Sequence, residues 1–216
     1  GGRIIGDGEP KYLNSQESNV FQKKYNLYGL NLTGKDVRNE DSIVLVEGYM
    51  DVVSLYQHGV RNVSASLGTA LTENQARLIK RYTKNVILSY DADQAGQNAA
   101  LRGLDILYAE GCRAKVLKVT DGKDPDEFIR TMGGDAFRMY VNEAPLLIDF
   151  LLNNILKEKS SAKTPQEKAE LVTQIIDILK DVNNKIIQTE YVKMVAGVLE
   201  INENAMLKEL NKYSQA

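Results

Sequence analysis

The strongest constraint on the fold of this chain is the alternation of short β-branched runs with helical stretches between Ser42 and Val119. "IVLVEG" (43–48), "NVSAS" (62–66), "NVILSYD" (85–91) and "RAKVLKV" (113–119) have the length and composition of strands. Met50 to His58 reads as a helix ended by Gly59, which suits a C-terminal cap. Thr72 to about Tyr82 opens with Thr-Glu-Asn-Gln, a capping box in which Gln75 reaches back to the Thr72 amide. Gln94 to Glu110 places Ala100, Leu104, Leu107 and Tyr108 at helical spacing and stops at Gly111. Strands alternating with helices predict a mainly parallel sheet with right-handed crossovers. Ligands of such sheets sit outside the carboxyl ends of the strands.

The flanks differ in texture. Residues 1–40 are polar and rich in breakers, and they predict loop and short strand leaning on the rest of the chain. After Gly133-Gly134 the pattern is helical at 145–158, 164–182, 185–200 and about 202–213, with Pro165 at a first helical position behind Thr164. A small bundle is the expected result. The chain thus divides into residues 1–40, 41–132 and 133–216. Its 216 residues, 43% hydrophobic and 26% charged, suffice for a real core.

Charge and rare residues narrow the chemistry. The net charge of −2 shows none of the basic excess usual in nucleic-acid binders, but a site that works through bound metal is locally acidic. A lone Cys112 excludes an intrachain disulfide, and a lone His58 excludes a His-rich metal cluster. A reducing, cytoplasmic setting is expected, and no apolar run approaches the ~20 residues of a membrane span. The opening "GGR", without Met, suggests a piece of a longer protein, and that piece is expected to be monomeric.

Acidic residues gather where the sheet should end. Glu47 closes the first strand, and Asp91 and Asp93 finish the third, two apart and so on one face of extended chain. Close carboxylates disfavour one another's charge unless a cation is present, and Mg²⁺ takes one or two carboxylates plus water and phosphates. A helix cap before Gln94 explains the same pair. Glu47 at the same edge tips the balance to a metal site. For Asp124 and Asp126 in "GKDPDEFIR", the pattern of cap, Pro125 and acidic first turn favours an ordinary helix start. Asp51, one turn into its helix, is likewise unremarkable there. Arg3, Lys11, Lys23 and Lys24, with Tyr12 and Tyr25 among them, read as solvated surface. "SLGTA" (66–70) offers backbone amides but lacks the glycines and Lys of a P-loop.

In order along the chain, "VEGYMDVVSLYQHG", "ASLGTALTENQARLIKRY", "YDADQAGQNAALRGLDIL" and "DGKDPDEFIR" closely resemble the Toprim catalytic core of bacterial DnaG-type DNA primases. The first zone is similar to the end of the amino-terminal subdomain of that family, and the helical zone to the bundle after Toprim. The resemblance implies an α/β Toprim domain with a mainly parallel sheet, preceded by part of a mixed subdomain and followed by a small helical bundle. It implies catalytic acids at Glu47, Asp91 and Asp93, with Asp51, Asp124 and Asp126 completing a metal cluster. The last two then serve as ligands as well as helix start. Arg3, Lys11 and Tyr12 match residues of the nucleotide and template groove, with Lys23 a further candidate. One departure is Ala92, where the family commonly has Gly between the two aspartates.

The implied activity is DNA-directed synthesis of short RNA primers by nucleotidyl transfer, using Mg²⁺ or Mn²⁺, ribonucleoside triphosphates and a single-stranded DNA template. Glu47 fits two roles there, ligand to a second ion or general base. Zinc is expected only in a domain outside this chain, and contact with the replicative helicase only through a carboxy-terminal domain also outside it. Weak or no synthesis is therefore expected from these residues alone. Two alternatives share the acids: another Toprim enzyme such as a topoisomerase or nuclease, and a phosphoacceptor signalling domain.

Overall fold

The structure is a computed structural model that describes residues 2–3, 12–13, 15–19, 21–66, 70–89, 102–103, 106–117, 124–158, 164–180, 182 and 184–213, with Arg3, Tyr12 and Leu13 described for their backbone only. Four short strands build its centre: β3 (Ile43–Val46), β4 (Val63–Ala65), β5 (Asn85–Leu88) and β6 (Arg113–Val116). Their order is β4-β3-β5-β6 and every pairing is parallel. All four lie inside the runs expected from composition, each ending earlier. A separate two-stranded ribbon pairs β1 (Gly2–Arg3) antiparallel with β2 (Tyr12–Leu13).

Side-chain alternation divides the strands between two cores. Ile43, Leu45, Val86 and Leu88 face one side and meet Val37 of α1 (Leu30–Asn39) and Ala76 and Ile79 of α3 (Glu73–Lys80). Val44, Val46 and Ile87 face the other, against Val52 and Leu55 of α2 (Tyr49–Gln57) and Phe128 and Phe137 of α4 (Pro125–Glu143). Helices on both faces are what an all-parallel sheet needs to keep its apolar strands from water. Both edges are closed by single antiparallel bridges, Tyr28 with Ala65 on β4 and Leu146 with Lys115 on β6. These bridges occupy backbone groups that would otherwise invite further strands.

Helix boundaries follow local chemistry closely. Thr72 and Gln75 form the capping box, with bonds of 3.2 and 3.0 Å. Gly59 and Gly111 take φ of 90° and 75° behind their helices. Residues 106–109 are helical, while most of the rest of 94–105 lies outside the described residues.

Two elements differ from expectation. The first zone contains α1, where only loop and short strand were expected. Its sequence, LNLTGKDVRN, is poor in strong helix formers and has Gly34 at its centre. Packing explains the helix: a Cβ on Gly34 would stand 2.6 Å from Tyr82 Cε1, so glycine admits the tyrosine ring against α1. Arg38, one turn on, lies over the same ring with Cζ 4.2 Å from its centroid. The second difference is α4, which runs on through Gly133-Gly134 with a kink at Gly133 (φ 82°, ψ 169°). Phe137 and Ala144, beyond the kink, belong to the sheet core.

The carboxy-terminal helices are α5 (Leu147–Glu158), α6 (Pro165–Leu179), α7 (Lys185–Leu199) and α8 (Glu203–Tyr213). They enclose a third core of Leu171, Ile175, Val192, Val195, Met206 and others. α5 serves two cores at once: Leu147 and Leu151 join the sheet core, Ile148 and Leu152 the bundle core. Gln188 of α7 donates to Leu179 O at 2.8 Å, satisfying a carbonyl at the end of α6. Among the described residues, no helix is long and apolar enough to cross a membrane.

Candidate functional site

Glu47 follows β3 directly and is half-buried at the carboxyl edge of the sheet. Two residues later α2 begins, and its first turn holds Asp51, which is 9% exposed. Asp51 Oδ2 accepts the Gly48 N–H at 3.0 Å, so this carboxylate ties the helix start to the residue after Glu47. Between them Tyr49 packs edge-on against Tyr28, ring centroids 4.7 Å apart. Burial, then the neighbouring Tyr28, pushes the Tyr49 phenol up.

The second acidic motif opens α4. Asp124 is its N-cap, with Oδ1 accepting the Glu127 N–H at 2.7 Å, and Pro125 fills the first helical position. The ordinary helix start read from the pattern is therefore present. Asp126 does more. Its Oδ1 accepts the Ser54 hydroxyl of α2 and pairs with Arg130 Nε at 2.9 Å. Ser54 stands one turn beyond Asp51 on α2, so the motif that starts α4 is fastened to the helix that starts behind Glu47. Arg130 Nε also lies 3.5 Å from Ser54 Oγ, closing a three-membered polar contact.

Asp91 and Asp93, with Ala92, lie outside the described residues, as does Lys11. Arg3 and Tyr12 are register partners in the β1–β2 ribbon. Lys23 starts a 3₁₀ turn, Lys23–Tyr25, and its amide donates to Glu17 Oε1 at 3.0 Å. Among the described residues, no group of three or more acidic, His or Cys side chains is gathered tightly enough to hold a metal ion. The structure thus joins the Asp51 and Asp126 helices through Ser54. Asp124 and Lys23 make separate contacts, with the Glu127 amide and the Glu17 carboxylate.

Sequence reasoning missed three participants. Arg130 had a readable signal, its i, i+4 spacing from Asp126. Ser54 gave none beyond its place on the Asp51 face. Gln75 was read as a cap alone, yet it also binds the turn that carries Lys23.

A parallel sheet with acids at its carboxyl edge and helices on both faces defines a Toprim-like domain, and the profile described as Toprim-like matches residues 44–129. The profile of the amino-terminal domain of the DNA primase catalytic core matches residues 1–33, and that of the DnaB-helicase binding domain of primase matches 148–204. The chain is 45% identical over 212 residues to the DNA primase of Clostridium acetobutylicum, covering 95% of this chain and 34% of that protein. A DNA primase domain from Pseudomonas aeruginosa superimposes with a TM-score of 0.84 at 32% identity, over 99% of this chain and 66% of the other. A DnaG primase catalytic domain bound to single-stranded DNA gives a TM-score of 0.79 at 35% identity, over 90% and 64%. The chain belongs to the bacterial DnaG-type DNA primase family. It spans about a third of the length of the curated relatives it matches. The match at 148–204 also corrects the expectation that helicase-related sequence lies wholly outside these residues, because it falls on α5 to α7.

Proposed function

We propose that this chain is the catalytic part of a DNA primase, making short RNA primers on a single-stranded DNA template by metal-dependent nucleotidyl transfer. The observation that carries this reading is the bond between Ser54 and Asp126, 72 residues apart in the chain, which draws two acidic motifs to one edge of a parallel sheet. Carboxylates from separate chain segments suit Mg²⁺ or Mn²⁺, hard cations that take oxygen donors. Asp91, Asp93, Asp124 and Asp126, with Asp51, are the proposed ligands. Such a cation, when bound, supplies neutralisation of the triphosphate and of the departing pyrophosphate.

The chain's own groups do the remaining work. Ser54 and Arg130 hold Asp126 in place. Glu47, at the carboxyl end of β3, acts either as a further ligand or as the base that takes the proton of the primer 3′-hydroxyl. Arg3, Lys11, Tyr12 and Lys23 contact phosphates of the nucleotide and template, which position the strands without reading sequence. The division into residues 1–40, 41–132 and 133–216 is proposed with Phe137 and Ala144 binding the start of the third part to the second. A replicative helicase is the proposed partner, supported by the match over 148–204. The setting is cytoplasmic and the isolated chain monomeric.

Mn²⁺ binding and template-directed incorporation of labelled ribonucleotides test this together. Asp124→Asn or Asp126→Asn should weaken Mn²⁺ binding by about tenfold or more. Synthesis by the isolated chain should be weak or absent. Undiminished Mn²⁺ binding in both variants contradicts the site, and stable labelling of Asp91 by a phosphodonor favours phosphoacceptor chemistry instead.

A further inference from the structure

Gln75 is fully buried, and both ends of its amide are engaged. Its Oε1 accepts the Thr72 N–H at 3.0 Å, which completes the cap of α3. The cap requires nothing of Nε2. That nitrogen instead donates to Lys23 O and Asn26 O, each at 3.0 Å, and lies 3.4 Å from Ser66 O. Thr72 is used in the same way: its Oγ1 accepts the Gln75 N–H at 3.2 Å and donates to Lys24 O at 2.7 Å. Two side chains at one helix start therefore grip three carbonyls of a turn about fifty residues earlier.

The grip fixes where that turn stands. Ser66 follows β4 at the carboxyl edge, and Tyr28, just after the turn, bridges to Ala65. The Lys23–Tyr25 turn is thereby fastened to the edge that carries Glu47. Outward it presents Lys24 and a half-exposed Tyr25, with Lys24 Nζ 5.0 Å from the ring centroid, while Lys23 is half-buried beside them. Amines that reach phosphates beside an aromatic face that takes a base are the chemistry of single-strand binding. A short surface turn binds well only if its direction is set beforehand. A neutral amide does this without adding a buried charge.

We propose that Gln75, assisted by Thr72, is a positioning residue that holds the Lys23–Tyr25 turn at the carboxyl edge, where Lys23 and Lys24 take phosphates and Tyr25 takes a base of single-stranded DNA. The proposal rests on the primase reading above.

The test is fluorescence anisotropy of a labelled single-stranded oligodeoxynucleotide with the 216-residue chain between 50 and 200 mM salt. The double variant Lys23→Ala/Lys24→Ala should lower the slope of log affinity against log salt by about 1.4, about 0.7 for each phosphate contact. Over that fourfold range its affinity then falls about sevenfold less than that of the unaltered chain. Gln75→Met should reproduce this reduction, Thr72→Val a part of it, and Thr72→Ser should restore the full slope. In the lysine double variant, Gln75→Met should change the slope no further. Thermal melts of every variant separate folding from binding. A Gln75→Met chain that melts lower but keeps the full slope overturns the positioning role. An unchanged slope in the lysine double variant overturns the turn as a contact, and so does a loss confined to ribonucleoside triphosphate binding. If Gln75→Met does not fold, the Thr72 pair and the lysine variant still decide. An unaltered chain that binds no single-stranded DNA defeats the primase reading itself.

Discussion

Phe137→Ala tests whether the chain beyond the Gly133 kink is part of the sheet domain. Phe137 is 0% exposed and meets Phe128 edge-on, centroids 5.9 Å apart and rings inclined by 64°. Its neighbours in that core include Val44, Val46 and Ile87 from three positions on the central strands. A buried phenylalanine removes about 200 Å² from water. At about 25 cal/mol per Å² this is worth about 5 kcal/mol, of which truncation to Ala forfeits about 4. Residual burial in the unfolded chain trims that figure to about 3 kcal/mol. The lost ring contact with Phe128 adds about 1 kcal/mol. The expected loss is therefore about 3–4 kcal/mol, within the usual range for such a truncation. For a chain of this size it lowers the melting temperature by roughly 10 °C. Urea unfolding followed by circular dichroism should show a lower midpoint with the slope preserved. A loss below about 1 kcal/mol, or a separate early transition, refutes the placement of residues 134–144 in the sheet core.

Three further outcomes follow from single contacts. Ser54→Ala leaves Asp126 to Arg130 alone, so stability should fall by about 1 kcal/mol and Mn²⁺ binding, read by electron paramagnetic resonance, should weaken about tenfold. Gly34→Ala gains about 1 kcal/mol of helix propensity but forces Tyr82 out from α1 at a cost of about 2 kcal/mol, a net loss that thermal melting will register. Tyr191 is raised by burial first, then by its 2.7 Å hydrogen bond to Asp149 and that carboxylate's charge, and last by Tyr108. A phenol raised in the folded state holds its proton more tightly there, so its stabilisation is whole below the unfolded value of about 10 and declines as pH rises through the folded value. Tyr191→Phe should remove that alkaline decline and cost about 1–2 kcal/mol at neutral pH, with pH-dependent melts as the measure.

Much of the architecture was legible because it is written in short-range patterns. β-branched runs of five to seven residues predicted all four central strands, and their alternation with helices predicted parallel pairing. Thr72 with Gln75, Thr164 with Pro165, and Gly111 marked helix ends that depend only on neighbours three or four residues away. Glu47 was legible as a candidate acid from its place at a strand end, whereas Asp126 read as an ordinary helix start and became a candidate only through the family resemblance. Tertiary structure decided everything that spans a long gap. α1 exists because Tyr82 and Arg38 pack about Gly34, against the weak propensity of its own residues. α4 keeps Phe137 in the sheet core although the pair of glycines before it looks like a boundary. Asp126 acquires Ser54 from 72 residues away, and the amide of Gln75 spends its second half on Lys23, 52 residues earlier. Local sequence specifies which backbone a segment prefers, whereas the partner of a buried polar group is chosen only when the sheet brings distant segments to the same edge.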